Sequence, residues 1–227
     1  MKIAAKLAQI RNKIDTAEKR FRRSKGSVCL LAVSKTRSVD EIMTAIDDGQ
    51  RHFGENYCQE AINKIEAIDR PDIIWHFIGP IQSNKAKQVA RHFDWVHTVD
   101  RIKIARRLDE MRPDTKSPLN LCVQVNISGE ETKSGISIDT IAEFIKELEQ
   151  FKRLKVRGLM TLPAPIDDFE KQRQSFSELR HCMEDLKRTW PELDTLSIGT
   201  TNDMTAAIAE GATIVRIGTA IFGPRSK

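Results

Sequence analysis

Short apolar runs separated by amphipathic segments recur along the whole of this 227-residue chain. The runs lie near residues 28–34, 51–54, 73–79, 94–99, 119–127, 154–160, 194–198 and 213–217. Alternation of such runs with segments of helical period is the pattern of βα units around a parallel sheet. Eight units in roughly this length is the arithmetic of a (β/α)8 TIM barrel. One more amphipathic stretch precedes the first run, with Ile3, Leu7, Ile10 and Ile14 on one face and Lys2, Lys6, Arg11 and Lys13 elsewhere. It mimics a transit peptide, but an extra N-terminal helix packed on the domain is the better reading. Ser38-Val39-Asp40-Glu41 forms a capping box ahead of Ile42, Ala45 and Ile46, and Gly49 supplies the stop. Phe169, Phe176, Leu179, Met183 and Leu186 recur at helical spacing and predict a core stripe. A doubly wound open sheet is the alternative fold. Its Gly-x-Gly-x-x-Gly turn after the first strand is absent. With no linker, low-complexity tract or short repeat, residues 1–227 are expected to form a single domain.

Composition narrows the function classes. About two-fifths of the residues are hydrophobic, enough for a sizeable core. Cys29, Cys58, Cys122 and Cys182 are widely separated and show no zinc spacing. No apolar run is long enough to span a bilayer and no signal-peptide pattern is present, so reduced thiols in a cytoplasmic protein are expected, with no membrane partner. The net charge of +5 and pI near 9.0 invite a nucleic-acid reading. Basic and acidic residues are interspersed, however, and no aromatic platform flanks a basic stripe, so no nucleic acid is expected. A modest positive excess also suits small anionic phosphates.

The chemistry concentrates where strands end, which in a barrel is where function sits. Lys35 closes the run Val28-Cys29-Leu30-Leu31-Ala32-Val33-Ser34, and a core strand has no structural use for an amine there. Apolar surroundings favour its neutral, nucleophilic form and suit it to a Schiff base with an aldehyde. A strand-end lysine that merely snorkels to solvent is the bland alternative. At the far end, Ile214-Val215-Arg216-Ile217 opens into Gly218-Thr219, where backbone N–H groups and a hydroxyl can hold a phosphate. Arg216 equally fits half of a buried ion pair, and Gly218 an ordinary turn. Other strand ends carry Gly54-Glu55-Asn56, His76, Gly79-Pro80, Asp100, Asn126, Met160 and Gly199-Thr200-Thr201-Asn202. Barrel enzymes often bind phosphate after strands 7 and 8, which places Thr201 beside Gly218 and Thr219, with Lys35 on the adjoining first strand. An aldehyde carrying a phosphate is a description that pyridoxal phosphate fits. The five histidines never approach a metal-ligand spacing and read as core or solvated residues, so no metal is expected. Glu55, entering a helix, reads as a dipole or cap partner rather than a catalytic acid. No Gly-x-Ser-x-Gly elbow is present.

Leu31-Ala32-Val33-Ser34-Lys35-Thr36, Phe53-Gly54-Glu55-Asn56-Tyr57, His76-Phe77-Ile78-Gly79-Pro80-Ile81-Gln82-Ser83-Asn84-Lys85, Lys133-Ser134-Gly135, Gly158-Leu159-Met160 and Arg216-Ile217-Gly218-Thr219 together resemble the pyridoxal-phosphate homeostasis proteins, the YggS-like or PROSC family. The resemblance runs from the first strand to the C-terminus. It implies a fold-type-III barrel like the N-terminal domain of alanine racemase. It further implies Lys35 as the Schiff-base lysine, Arg216 facing the pyridine nitrogen, Thr201, Gly218 and Thr219 on the phosphate, and Asn56 and Met160 lining the ring pocket. The family usually reads Ser-Met-Gly-Met-Ser where this chain has Ser197-Ile198-Gly199-Thr200-Thr201, so Thr200 replaces a methionine.

Racemases of the related fold use a second base, a tyrosine from an additional domain across a dimer. Here the sole tyrosine is Tyr57, and the chain stops just after the eighth run, so half of the acid–base apparatus is expected to be missing. Arginine at the ring nitrogen also disfavours its protonation and weakens the ring as an electron sink. The expectation is a monomeric binding module with no catalytic residues, active in vitamin B6 homeostasis and delivery to pyridoxal-phosphate-dependent apo-enzymes. A weak amino-acid racemase or lyase is the alternative. Lys133 is a candidate second amine.

Overall fold

In a computed structural model describing residues 2–127 and 133–224, all eight predicted runs become strands. They are β1 (Cys29–Val33), β2 (His52–Glu55), β3 (Ile74–Phe77), β4 (Trp95–Val99), β5 (Leu119–Gln124), β6 (Leu154–Met160), β7 (Thr195–Ser197) and β8 (Ile214–Ile217). Each pairs in parallel with the next, and β8 returns to β1, closing a barrel in sequence order. Closure removes both sheet edges.

Helices fill the crossovers: α1 (Ile3–Arg20), α2 (Val39–Asp47), α3 (Cys58–Ile68), α4 (Ala86–His92), α5 (Ile102–Met111), α6 (Ile141–Leu148), α7 (Phe169–Leu186), α8 (Met204–Ala209) and α9 (Thr219–Phe222). The extra helix α1 buries Leu7, Ile10 and Ile14 and packs on α2, α8 and α9. Its Glu18, itself buried, accepts hydrogen bonds from the backbone N–H groups of Gly26 and Val28 and so aims the chain into β1. The Ser38–Glu41 capping box is formed at α2, and the Phe176, Leu179, Met183 and Leu186 stripe is buried on α7. Among the described residues no helix is long and apolar enough to cross a membrane.

Two glycines set the barrel's geometry near its C-terminal mouth. At Gly158, where β5 and β6 slip register, a Cβ would lie 1.8 Å from the backbone oxygen of Thr195. At Gly79 it would lie 2.2 Å from the backbone oxygen of Asn56. The chain leaving β3 therefore presses against the residue that follows β2, and only glycine fits.

Ser38→Ala removes one half of the reciprocal cap on an exposed helix start. It is expected to lower unfolding free energy by about 0.5–2 kcal/mol, read from urea denaturation as a lower midpoint with unchanged m-value.

Candidate functional site

The C-terminal mouth of the barrel holds a cavity of about 410 Å³. Lys35, Asn56, Met160, Thr201, Arg216, Gly218 and Thr219, the seven candidates from the sequence, all line it, along with Val33, Ile78, Thr98 and Thr200. Its floor is buried, with Arg216 and Met160, whereas Thr201 and Thr219 stand exposed at the rim and Lys35 is half-buried between.

Arg216 reaches into the barrel from the middle of β8. Its Nη1 donates to the carbonyl oxygen and, at 2.8 Å, to the hydroxyl of Ser197, and its Nη2 donates to the carbonyl of Thr161 at 2.8 Å. Among the described residues no carboxylate lies within ion-pair distance of it. Burial lowers its pKa to about 10, with the charge of Asp203 opposing, which still leaves it cationic at neutral pH. A buried cation held only by neutral acceptors favours a ligand that brings electron density to it.

Lys35 is carried on a turn that needs support, because Thr36 after it has φ +63°. The support comes from outside the barrel wall. Lys64 of α3 is buried and donates to the carbonyl of Ser34 and to Glu55 Oε1, each at 2.8 Å, and also to Glu60. Ser34 Oγ donates to the same Glu55 oxygen at 2.6 Å, and the Thr36 N–H donates to Glu60. The residues on both sides of Lys35 are thereby tied to one Glu–Lys–Glu cluster. This corrects the reading of Glu55 as a cap or dipole partner: it ends β2, is fully buried, and anchors the Lys35 turn. Burial pushes its carboxyl up, and Lys64 opposes the shift.

Asn56 presents a buried Oδ1 with no hydrogen-bond partner, an acceptor that a ligand donor would satisfy. Thr200, the residue that departs from the family pattern, bonds through both N and Oγ1 to Asp203 Oδ1, which closes the turn before α8 and leaves Thr201 at the cavity. Lys133 lines a second cavity, of about 680 Å³, which shares Gln124, Ser134, Leu162 and Thr200 with the first.

A family model for the alanine racemase N-terminal domain matches residues 5–226. The pyridoxal phosphate homeostasis protein of Escherichia coli K12 is 49% identical over 98% of this chain and 97% of its own. The chain belongs to the pyridoxal phosphate homeostasis protein family. Its counterpart from Pseudomonas aeruginosa is 48% identical over 98% of this chain and 96% of its own. PipY of Synechococcus elongatus, solved with PLP bound, superposes with a TM-score of 0.83 at 36% identity, covering 97% of this chain and all of that one. An alanine racemase of Clostridium difficile shares the barrel, with TM-score 0.72 and 14% identity, over 96% of this chain and 57% of the racemase. That last likeness concerns the fold alone.

Within this family member, the sequence reading missed what lies beneath Arg216. His97 Nδ1 is 2.8 Å from Ser197 Oγ, His97 Nε2 is 2.9 Å from His76 Nδ1, and His76 Nε2 is 3.0 Å from His52 Nδ1. Strands β4 and β7 are not neighbours, so the His97–Ser197 contact crosses the barrel interior. The core reading of His76 and His97 holds, and no metal-binding group of three or more ligands exists among the described residues. Strand parity carried the missing signal. His76 and His97 each stand two residues from another strand position, as Ser197 does from Thr195 and Arg216 from Ile214, and closure turns such positions toward one interior.

Burial holds His97 down at about 3, helped by the Arg216 charge, and holds His76 well below its ordinary value. Their folded pKa values are depressed, so the unfolded chain binds more protons below about pH 6.5. Stability present above that pH should therefore be lost as pH falls towards 3. Urea unfolding of His97→Gln at a series of pH values is expected to show a shallower acid decline than wild type. Identical slopes between pH 6.5 and 4 would exclude a neutral buried His97 as a source of that decline.

Proposed function

We propose that this chain binds pyridoxal 5'-phosphate as a Schiff base on Lys35 and serves intracellular vitamin B6 homeostasis and delivery, without efficient catalysis of its own. The observation that carries the reading is the convergence on one cavity of a strand-end amine, a buried guanidinium that among the described residues meets only neutral acceptors, and hydroxyl and N–H donors on the turns after β7 and β8, the latter beside β1. The names of the homeostasis relatives and the PLP-bound PipY structure support the same assignment.

The residues fit the cofactor. The buried Oδ1 of Asn56 lacks a partner, and the apolar wall of Val33, Ile78 and Met160 suits a flat ring. Thr201, Gly218 and Thr219 would hold the phosphate, and Gly218, the cap of α9, has no side chain to occupy the N–H groups that lead into it. Arg216 would face the ring nitrogen as a hydrogen-bond donor. Bound pyridoxal phosphate supplies an aldehyde that condenses with amines and a ring able to withdraw electrons from the adjoining carbon.

The protein's own residues are arranged for holding. The Glu55–Lys64–Glu60 cluster fixes the Lys35 turn, and Met160 and Val33 limit water at the cavity floor. A cationic Arg216 keeps a proton off the ring nitrogen beside it, which weakens electron withdrawal. Tyr57, the sole tyrosine, is 53% exposed at the start of α3 and does not line the cavity. A base on the face opposite Lys35 is thus not supplied by tyrosine in this chain. In this reading residues 1–227 act as one monomeric cofactor-binding domain in the cytoplasm. Its partners are pyridoxal phosphate and the apo-enzymes that receive it, with no nucleic acid or membrane. Lys133, in the adjoining cavity, serves as a second amine for cofactor on its way out.

Borohydride reduction followed by peptide mapping should place the pyridoxyl group on Lys35. Label found mostly on another lysine of the wild-type protein would reject the assignment, whereas label moving to Lys133 in Lys35→Ala would support the second amine. Thr201→Ala should weaken cofactor affinity by about 1–3 kcal/mol rather than abolish it, since backbone donors remain. The racemase or lyase reading is tested by following solvent deuterium into the α-carbon of a panel of amino acids. Exchange at a kcat of about 1–10³ s⁻¹ for any of them would overturn the carrier assignment.

A further inference from the structure

Three histidines that the proposed chemistry does not use join the cavity to the opposite mouth of the barrel. His52 opens β2 at the N-terminal end, where it lines a separate cavity of about 380 Å³. His76 and His97 are fully buried on β3 and β4, and Ser197 ends β7 beside Arg216. Trp95 stacks on His76 at 5.5 Å and fixes its ring plane. The result is an unbroken series of contacts of 2.8–3.0 Å from His52 to the guanidinium.

The series has a direction. Arg216 only donates, so the Ser197 oxygen accepts from it. Each neutral imidazole offers one donor and one acceptor, and each nitrogen pair in contact shares one hydrogen. If the Ser197 hydroxyl donates to His97 Nδ1, then His97 Nε2–H donates to His76 Nδ1, and His76 Nε2–H donates to His52 Nδ1. Every contact is then satisfied with all three rings in the Nε2–H tautomer. The opposite arrangement, with all three rings Nδ1–H, makes Ser197 Oγ accept twice and turns its hydrogen away from the chain. Hydrogen bonds in such a series polarise one another, so a Ser197 hydroxyl that donates to His97 is the better acceptor for Arg216.

We propose that His52, His76 and His97 are positioning residues for Arg216, forming a one-way hydrogen-bond chain that protonation of His52, at the far end of the barrel, reverses. This inference rests on the reading of the mouth cavity as the cofactor site. A protonated His52 carries hydrogen on Nδ1 as well as Nε2, and its Nδ1 can no longer accept from His76. The balance is one proton taken from solvent. The His76 Nε2 hydrogen passes to His52 Nδ1, the His97 Nε2 hydrogen to His76 Nδ1 and the Ser197 hydrogen to His97 Nδ1, while the proton taken from solvent restores the Ser197 hydroxyl, which then no longer donates to His97.

The added charge stays at His52, the ring farthest along the chain from Arg216. The groups around His52 allow titration there. Asp94, whose carboxylate accepts from the Trp75 N–H, raises its proton affinity against the lowering effect of burial. Arg11, Asp15 and Glu18 of α1 and Cys29 of β1 line the same cavity, and Arg51 adjoins on the chain. Arg11 is paired with Asp48 and Arg51 with Asp72, while Glu18 is engaged with the backbone before β1. At the other end, burial keeps both rings neutral, helped by the Arg216 charge at His97 and by the neighbouring histidines at His76.

The test begins with the protein free of cofactor, uniformly labelled with ¹⁵N at histidine. At pH 8 His76 and His97 are expected as Nε2–H tautomers, and both should convert to Nδ1–H as His52 takes up its proton. In His52→Gln, whose side-chain oxygen still accepts from His76, both should remain Nε2–H at every pH at which the protein is folded. Titration of His52 in the wild-type protein with unchanged tautomers at His76 and His97 would overturn the proposal, with no variant needed. So would a switch that persists in His52→Gln. The same titration with pyridoxal phosphate added should show a step in cofactor absorbance that coincides with His52 protonation in wild type and is lost in His52→Gln. If the tautomers switch but no cofactor absorbance develops, the relay stands and the cofactor reading fails. If the cofactor binds with no coincident step, the chain does not act on the site.

Discussion

Burying the Arg216 guanidinium inside the barrel takes a cation out of water at a cost of several kcal/mol, and its hydrogen-bond partners among the described residues are neutral dipoles. Ser197 and Thr161 supply those dipoles from the ends of β7 and β6, and Ser197 is in turn set by His97 and the two rings behind it. Each buried polar group here needs a partner, so one charge on β8 dictates polar residues on four other strands. The closed sheet makes this possible, since it turns the inner faces of strands distant in sequence toward one axis.

Around Lys35 the logic is reversed. Opposite charges are paired there, with Lys64 between Glu55 and Glu60, and the cluster lies between β2 and α3 rather than in the cavity. A buried ion pair contributes little net stability on average, but breaking one by removing a partner is strongly destabilising. Its value here is positional, because it holds Ser34 and Thr36 on either side of the amine. The mouth thus combines an anchored amine with a buried cation that, among the described residues, has no carboxylate within ion-pair distance. In the proposed function that combination would suit retention of a phosphate-bearing aldehyde.

Much of the architecture was legible in the chain. Eight apolar runs, the amphipathic α1 stretch and the Ser38–Glu41 box translate directly into elements, because hydrophobic periodicity and capping are local properties. That the seven candidate residues share one place was legible as well, since in a barrel the strand ends share one mouth, and all seven line the same cavity. Glu55 was misread because its position before a helix is a local cue, whereas its partner Lys64 approaches only when α3 folds back over β2 and β1.

The sequence by itself determined the order of strands and helices, the amine just after β1 and the Arg-Ile-Gly-Thr run in which β8 ends. Those follow from residue type and spacing along a single segment. Only the tertiary structure decided that, among the described residues, Arg216 has no carboxylate within ion-pair distance and that His52, His76, His97 and Ser197 form one chain beneath it. Partners in contact along that chain lie up to a hundred positions apart, as His97 and Ser197 do, and nothing in a linear pattern specifies which inner faces meet across a closed barrel. Side-chain direction, set by strand parity and barrel stagger, is what brings them within hydrogen-bond reach.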